Sequence, residues 1–209
     1  MRPWWKPSRT TKSMSHTWAA SHSYRLQSVP VCSLSCIHSV FITQPASAIK
    51  NLADIKAHSF AFGDVNSTSG HLMPAYYMRQ AGIDPGALPK TVYTGGHDAT
   101  ALAIANGKGD AGAMYELVLC NMLKSNKISA NQVRVFYTTP AFFDYVWAAR
   151  KGLDQKLRDN FTAAFLKLDA SNPGNKPLLD LLNATRYVRA DDSNYDKLRQ
   201  AARSESLLQ

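Results

Sequence analysis

Strand-like and helix-like segments alternate along this 209-residue chain, and that alternation predicts an α/β fold with a largely parallel sheet. Two further observations support it. Glycines stand where helices should stop, at Gly82 and Gly107, the place just past a helix end that glycine favours. Polar residues suited to binding recur just after the apolar strand segments, where open α/β sheets hold their ligands.

The orderly part of the chain begins at His38. Residues 39–43 (SVFIT) are strand-like, and 49–57 have the spacing of a short amphipathic helix. Residues 59–62 form the next strand and lead through a hydroxyl-rich loop into a helix over 69–81. Pro74 lies near the start of that helix and should cost a hydrogen bond or bend the first turn. The turn Asp84-Pro85-Gly86 precedes a strand over 91–94, and Gly95-Gly96-His97-Asp98 opens an alanine-rich helix over 99–106. A buried strand over 111–115, a helix over 116–124 and a strand over 133–137 come next. Beyond Pro140 the pattern predicts a strand over 146–149 and an amphipathic helix over 153–168. On that helix Leu157, Phe161, Ala164, Phe165 and Leu168 share a face. Two more helices are expected over 178–183 and 195–204.

Residues 1–37 read differently. They hold Trp4, Trp5 and Trp18 and show no helical or strand period. Arg2, Lys6, Arg9, Lys12 and Arg25 come with no acid, so this segment carries five of the net nine positive charges. The rest of the chain is near balance, which argues against a nucleic-acid face. As a secretory signal the segment is poor, because Pro30, Ser33, Ser35, His38 and Ser39 interrupt its apolar middle. It reads as a basic segment that is disordered or non-native. An apolar content of 45% and a charged content of 19% are ordinary for a globular protein, and no run of about 18 apolar residues suggests a membrane span. Cys32, Cys36 and Cys120 cannot make a full disulfide framework, and no second pair of ligands stands at zinc spacing. Neither a metal nor a cofactor is expected.

Four strand ends carry suggestive groups: Ser67, Thr68 and Ser69 after the first, then His97, Glu116 and Asp144. Each has an ordinary explanation alone. A serine there is an N-cap, a histidine a loop residue, a glutamate a helix-start carboxylate and an aspartate a turn former. Together they suit a small tetrahedral oxyanion. Hydroxyls and the unpaired N–H groups of a helix start donate to its oxygens, and the helix dipole favours the charge. A carboxylate has no hydrogen to give, so it can bond such a ligand only where the ligand bears a protonated oxygen or an ammonium group; Glu116 and Asp144 thus select an oxyanion that bears P–OH, or an amino-phosphonate, over sulfate.

The elements Phe62-Gly63-Asp64-Val65-Asn66-Ser67-Thr68-Ser69-Gly70, Gly96-His97-Asp98-Ala99 and Asp110-Ala111-Gly112-Ala113 resemble the phosphate, phosphite and phosphonate binding proteins of ABC transporters. Asp144-Tyr145-Val146-Trp147 and Tyr195-Asp196-Lys197-Leu198-Arg199 extend the resemblance, which covers His38 to the C-terminus. It implies a type II periplasmic binding fold of two α/β lobes joined by crossover strands, here at 40–43 and 145–149. It also implies ligand binding by Ser67, Thr68, Ser69, His97 and Asp144. Glu116 matches less well, since its spacing departs by a residue. Partners implied are a membrane permease and its ATPase, for a monomeric periplasmic protein. The family's first lobe starts well ahead of the first crossover, whereas residues 1–37 do not resemble that part. The expectation is therefore a complete ligand-binding lobe over 38–145 and, over 146–209, the helical remainder of a truncated second lobe. Two other readings stand beside this one. The first is a truncated fragment that binds nothing. The second is an enzyme using His97 with Asp98 or Glu116 as acid and base, for which no convincing nucleophile is present.

Overall fold

The computed structural model of the chain describes residues 31–33, 37–143, 146–147, 149, 152–180 and 184–208. Its strands, in chain order, are β1 (Val31–Ser33), β2 (Ser39–Thr43), β3 (Ser59–Phe62), β4 (Lys90–Tyr93), β5 (Ala111–Tyr115), β6 (Arg134–Thr138), β7 (Val146–Trp147) and β8 (Tyr187–Arg189). The helices are α1 (Met73–Gln80), α2 (His97–Ala105), α3 (Glu116–Lys124), α4 (Gln155–Leu166), α5 (Lys176–Asp180) and α6 (Asp196–Ser204).

Two sheets form. The larger has the order β4-β3-β5-β2-β6 and the smaller the order β7-β1-β8. In the larger sheet β3 is parallel to both β4 and β5, while β2 runs antiparallel to β5 and β6. The expected parallel sheet is thus present with one reversed strand inside it. Alternation along β2 explains how this strand sits between two cores. Val40 and Ile42 face Ala101, Ile104, Leu119 and Met122 of α2 and α3, whereas Phe41 faces Phe60, Ala75 and Met78 on the other side. Full burial of a side chain such as Phe41 stabilises by roughly 1.5–3 kcal/mol.

The chain enters and leaves the larger sheet at one place. Ile37 and Phe142 exchange both backbone hydrogen bonds at 3.0 Å, so the chain ahead of β2 and the chain after β6 lie side by side at this pair. Beside them the His38 Nδ1 lies 2.7 Å from the Thr139 carbonyl, and the Ser39 N–H donates to Thr139 Oγ1 at 3.0 Å. Helix α6 closes over this junction, packing Leu198, Ala201 and Ala202 against Ile37, Phe142, Leu72 and Met73.

Several local expectations change. The helix over 49–57 is a single 3-10 segment, Leu52–Ala57, started by a reciprocal cap between Asn51 and Asp54. Of the segment 1–37, read as disordered or non-native and lacking any strand period, residues 1–30 and 34–36 lie outside the described residues, while 31–33 form β1; β8 is likewise absent from the expected strands. The strand over 146–149 is described at Val146–Trp147, and the helix over 178–183 as α5, with 181–183 outside the described residues. The last helix begins as a 3-10 turn, Asp192–Tyr195, that runs into α6. On α4 the predicted apolar face is not fully covered: Leu157 is 56% and Phe161 38% exposed, while Thr162 is buried. Its hydroxyl is satisfied by the Arg158 carbonyl at 2.9 Å. The helix leans on the narrow smaller sheet, which leaves Phe161 to stack on Phe165 at 4.5 Å and to meet Trp147 at 5.8 Å.

The helix over 69–81 shows the largest departure. It starts as a π-helical turn, Thr68–Leu72, in which the N–H groups of Leu72 and Met73 reach five residues back to the Ser67 and Thr68 carbonyls. Only then does α1 begin. Pro74 supplies the reason, since it cannot donate to the Gly70 carbonyl four residues earlier. That carbonyl instead accepts the Gly63 N–H at 2.9 Å, which ties the end of β3 to the wide turn.

Candidate functional site

The site is built where β3 hands over to that turn. The Asp64 side chain accepts the Asn66 N–H at 2.8 Å, and its carbonyl accepts the Ser67 N–H at 2.9 Å, which reverses the chain. Ser67 then keeps an extended backbone (φ −78°, ψ 128°), and its Oγ accepts the Gly70 N–H at 2.9 Å. This is the N-cap arrangement, and it engages a lone pair of the hydroxyl while leaving its hydrogen to donate elsewhere. Thr68 and Ser69 open the turn, so their N–H groups have no carbonyl one turn back. Both residues are buried, at 6% and 4% exposure. Neither hydroxyl bonds a protein group among the described residues.

His97 reaches the same point from the other side. It is the first residue of α2, and its ring lies against the backbone of Gly70. A Cβ placed on Gly70 would stand 2.9 Å from His97 Cε1, 3.2 Å from His97 Nδ1 and 3.0 Å from Ser67 Oγ. Only the missing side chain lets the imidazole and the capping hydroxyl converge there. The Tyr115 N–H donates to His97 Nδ1 at 3.2 Å. With Nδ1 accepting, the ring hydrogen belongs on Nε2, which makes Nε2 the donor.

Glu116 is adjacent but not joined. It follows Tyr115 as the first residue of α3, is half-buried, and gives its N–H to the His38 carbonyl at 3.2 Å. No hydrogen bond links its carboxylate to Ser67, Thr68, Ser69 or His97 among the described residues. Asp144 lies outside the described residues. The structure therefore gathers Ser67, Thr68, Ser69 and His97, and it sets Glu116 one residue from the group that orients the imidazole.

A second histidine was overlooked in the sequence. His71 Nδ1 lies 2.8 Å from the Val65 carbonyl, which can only accept, so the hydrogen sits on Nδ1. The Tyr93 hydroxyl, 2.9 Å away, then donates to His71 Nε2. Burial pushes the Tyr93 phenol up, with the Glu205 charge adding to it, which keeps that donor protonated. The Tyr93 ring stacks on Phe62 at 5.6 Å. These contacts brace the loop that delivers Ser67. Among the described residues no group of three or more His, Cys, Asp or Glu side chains could hold a metal ion, and no helix is long and apolar enough to cross a membrane.

Comparison with known proteins agrees on the kind of fold. A family model for the periplasmic substrate-binding protein of phosphonate ABC transporters matches residues 23–195, beginning ahead of His38, where the resemblance was placed. A probable ABC transporter phosphite binding protein of Prochlorococcus marinus (strain MIT 9301) is 36% identical over 163 residues, covering 75% of this chain and 55% of that protein. The phosphonates-binding periplasmic protein of Escherichia coli (strain K12) is 30% identical over 171 residues, covering 78% of this chain and 49% of that protein. The chain thus spans about half the length of these curated relatives. Among solved structures, one from Prochlorococcus marinus (MIT 9301) in complex with methylphosphonate superposes with a TM-score of 0.76 at 30% identity, over 87% of this chain and 72% of that one. A binding protein component of an ABC phosphonate transporter from Pseudomonas aeruginosa shares the fold, with a TM-score of 0.69 at 24% identity, over 84% of this chain and 61% of that one.

Proposed function

The chain belongs to the family of periplasmic substrate-binding proteins of phosphonate ABC transporters, and on that premise we propose that it binds a small phosphorus oxyanion without transforming it. The observation that carries this reading is the convergence of the His97 ring and the Ser67 hydroxyl on Gly70. The groups assembled there are donors. Ser67, Thr68 and Ser69 each have a hydroxyl hydrogen, the turn adds unpaired N–H groups, and His97 adds Nε2–H. Hydrogen bonds to a charged partner contribute about 1.5–3 kcal/mol each, so three or four contribute about 4.5–12 kcal/mol, against which the cost of association is set.

Glu116 and Asp144 are the acceptors of this scheme, taking the hydrogen of a P–OH group and disfavouring sulfate. Relatives described as binding phosphite, phosphonates and methylphosphonate favour that ligand class. They are transporter binding proteins and not enzymes, which favours non-covalent capture over acid–base chemistry at His97. In this scheme the lobe over 38–145 holds the ligand, residues 146–209 belong to its counterpart, and a permease with its ATPase receives the cargo from a periplasmic, monomeric carrier.

Calorimetric titration of the full chain with methylphosphonate, phosphite, phosphate and sulfate tests the proposal. The expected result is saturable binding of at least one phosphorus oxyanion, with sulfate at least tenfold weaker. Ser69→Ala and His97→Ala should each weaken binding tenfold or more. A folded chain that takes up none of the four at millimolar concentration, or variants that bind as the parent does, would overturn it.

A further inference from the structure

Thr94 and Thr100 lie behind the site, and their hydroxyls join the two segments that meet there. The two Oγ1 atoms are 2.7 Å apart. Thr94 Oγ1 is 3.0 Å from the carbonyl oxygens of both Phe62 and Gly96. Thr100 Oγ1 is 3.1 Å from the Gly96 carbonyl and 3.3 Å from that of Phe62. Thr100 is fully buried and Thr94 half-buried. Two hydroxyls carry two hydrogens, and the contact between them uses one. A single hydrogen is left for the carbonyls, so the pair works as one unit that neither threonine can form alone.

The residue after each carbonyl gives the unit its meaning. Gly63 comes after Phe62 and donates its N–H to the Gly70 carbonyl at 2.9 Å. His97 comes after Gly96 and lays its ring on Gly70. Bonds lead from Gly70 through Gly63, Phe62, the hydroxyl pair and Gly96 to His97, and the packing of the His97 ring on Gly70 closes the circuit. The Gly95 N–H, bonded to the Gly63 carbonyl at 3.2 Å, runs alongside as its backbone rung.

The geometry points to Thr94 and Thr100 as positioning residues that hold the His97 donor against the Ser67–Gly70 turn, an inference that rests on the oxyanion reading of the site. Hydrogen bonds depend steeply on distance and angle, so a shift of a few tenths of an ångström in His97 weakens its bond to Tyr115 and to a ligand together. A pair that merely satisfied two carbonyls would matter for stability alone.

Two readouts on the full chain separate these roles: methylphosphonate titration, and two-bond ¹H–¹⁵N spectra of the His97 ring without ligand. Thr94→Val and Thr100→Val should weaken methylphosphonate binding at least tenfold and move the His97 Nδ1 resonance. Thr100→Ser, which restores the hydroxyl, should stay within about twofold of the parent. Should Thr100→Val not fold, Thr94→Val at the half-buried position carries the test. Valine variants that bind within twofold, or that bind weakly with the ring resonances unmoved, overturn the inference, whatever their melting temperature. If the parent takes up neither methylphosphonate nor phosphite nor phosphate, the oxyanion reading falls. The ring spectra then decide positioning alone: a resonance moved in Thr94→Val supports it and an unmoved one overturns it.

Discussion

Replacing Gly70 with alanine isolates the contact on which the site depends. No left-handed backbone angle is needed at this position, so alanine brings little backbone strain and the effect is steric. The new Cβ would lie 2.9 Å from His97 Cε1 and 3.0 Å from Ser67 Oγ, where ordinary carbon contacts begin near 3.4 Å. The ring must retreat by about half an ångström. That movement stretches the 3.2 Å bond from the Tyr115 N–H beyond useful range. Overpacking of this kind costs about 1–3 kcal/mol, and a buried N–H left without its partner costs a similar amount. Stability should therefore fall by about 2–6 kcal/mol. Losing one donor to a charged ligand adds about 1.5–3 kcal/mol to the cost of binding, or roughly a 10- to 150-fold loss of affinity. Urea unfolding and calorimetric titration with methylphosphonate measure the two effects separately. Gly70→Ala protein that keeps its urea midpoint and binds within twofold of the parent would refute the placement of His97 on this glycine.

Ser67→Ala removes the cap from the Gly70 N–H, and urea unfolding should show a loss of about 1 kcal/mol. Asp110 tests pH dependence, because the Ser59 hydroxyl and N–H, at 2.6 and 2.8 Å, hold its carboxyl below the ordinary value, with His58 assisting. The unfolded chain takes up this proton first as pH falls, so the contribution is present above about pH 4 and is lost as pH drops through the lower folded value. Urea midpoints measured from pH 6 to pH 3 should fall more steeply for the parent than for Asp110→Asn. On α4, Leu157→Glu should cut binding of a hydrophobic dye and reduce light scattering on heating, with little change in melting temperature, because this side chain is already 56% exposed.

Much of the larger sheet was legible because its signals are local. The spans of β5 and α3 follow from a short apolar run and the amphipathic stretch after it, and Gly82 and Gly107, both at positive φ, mark real helix ends. The π-helical turn was not legible, although Pro74 announced trouble there. Its resolution depends on the Gly63 N–H, a partner supplied by the fold and not by neighbouring residues. For the same reason β1 and β8 were missed. Three-residue strands have too short a period to read, and their pairing is distant in sequence. In the site, Ser67, Thr68, Ser69 and His97 were visible as residue types at strand ends. The tautomers of His97 and His71 were not: the first is set by an N–H from another element, the second by the Val65 carbonyl, which meets the ring only once the loop has folded.

The order of the smaller sheet has a consequence for how the protein is made. β1 is its central strand, yet its two neighbours begin at residues 146 and 187. A ribosome adds about 5–20 residues per second, so β1 emerges on the order of ten seconds before β8 exists to pair with it. The larger sheet, whose strands all fall between residues 39 and 138, can be complete well before then. Assembly is thus vectorial: a finished module waits on the nascent chain beside a strand whose edge toward β8 is still open. That interval is when capture by a chaperone, or mispairing with another nascent chain, competes most strongly with correct closure.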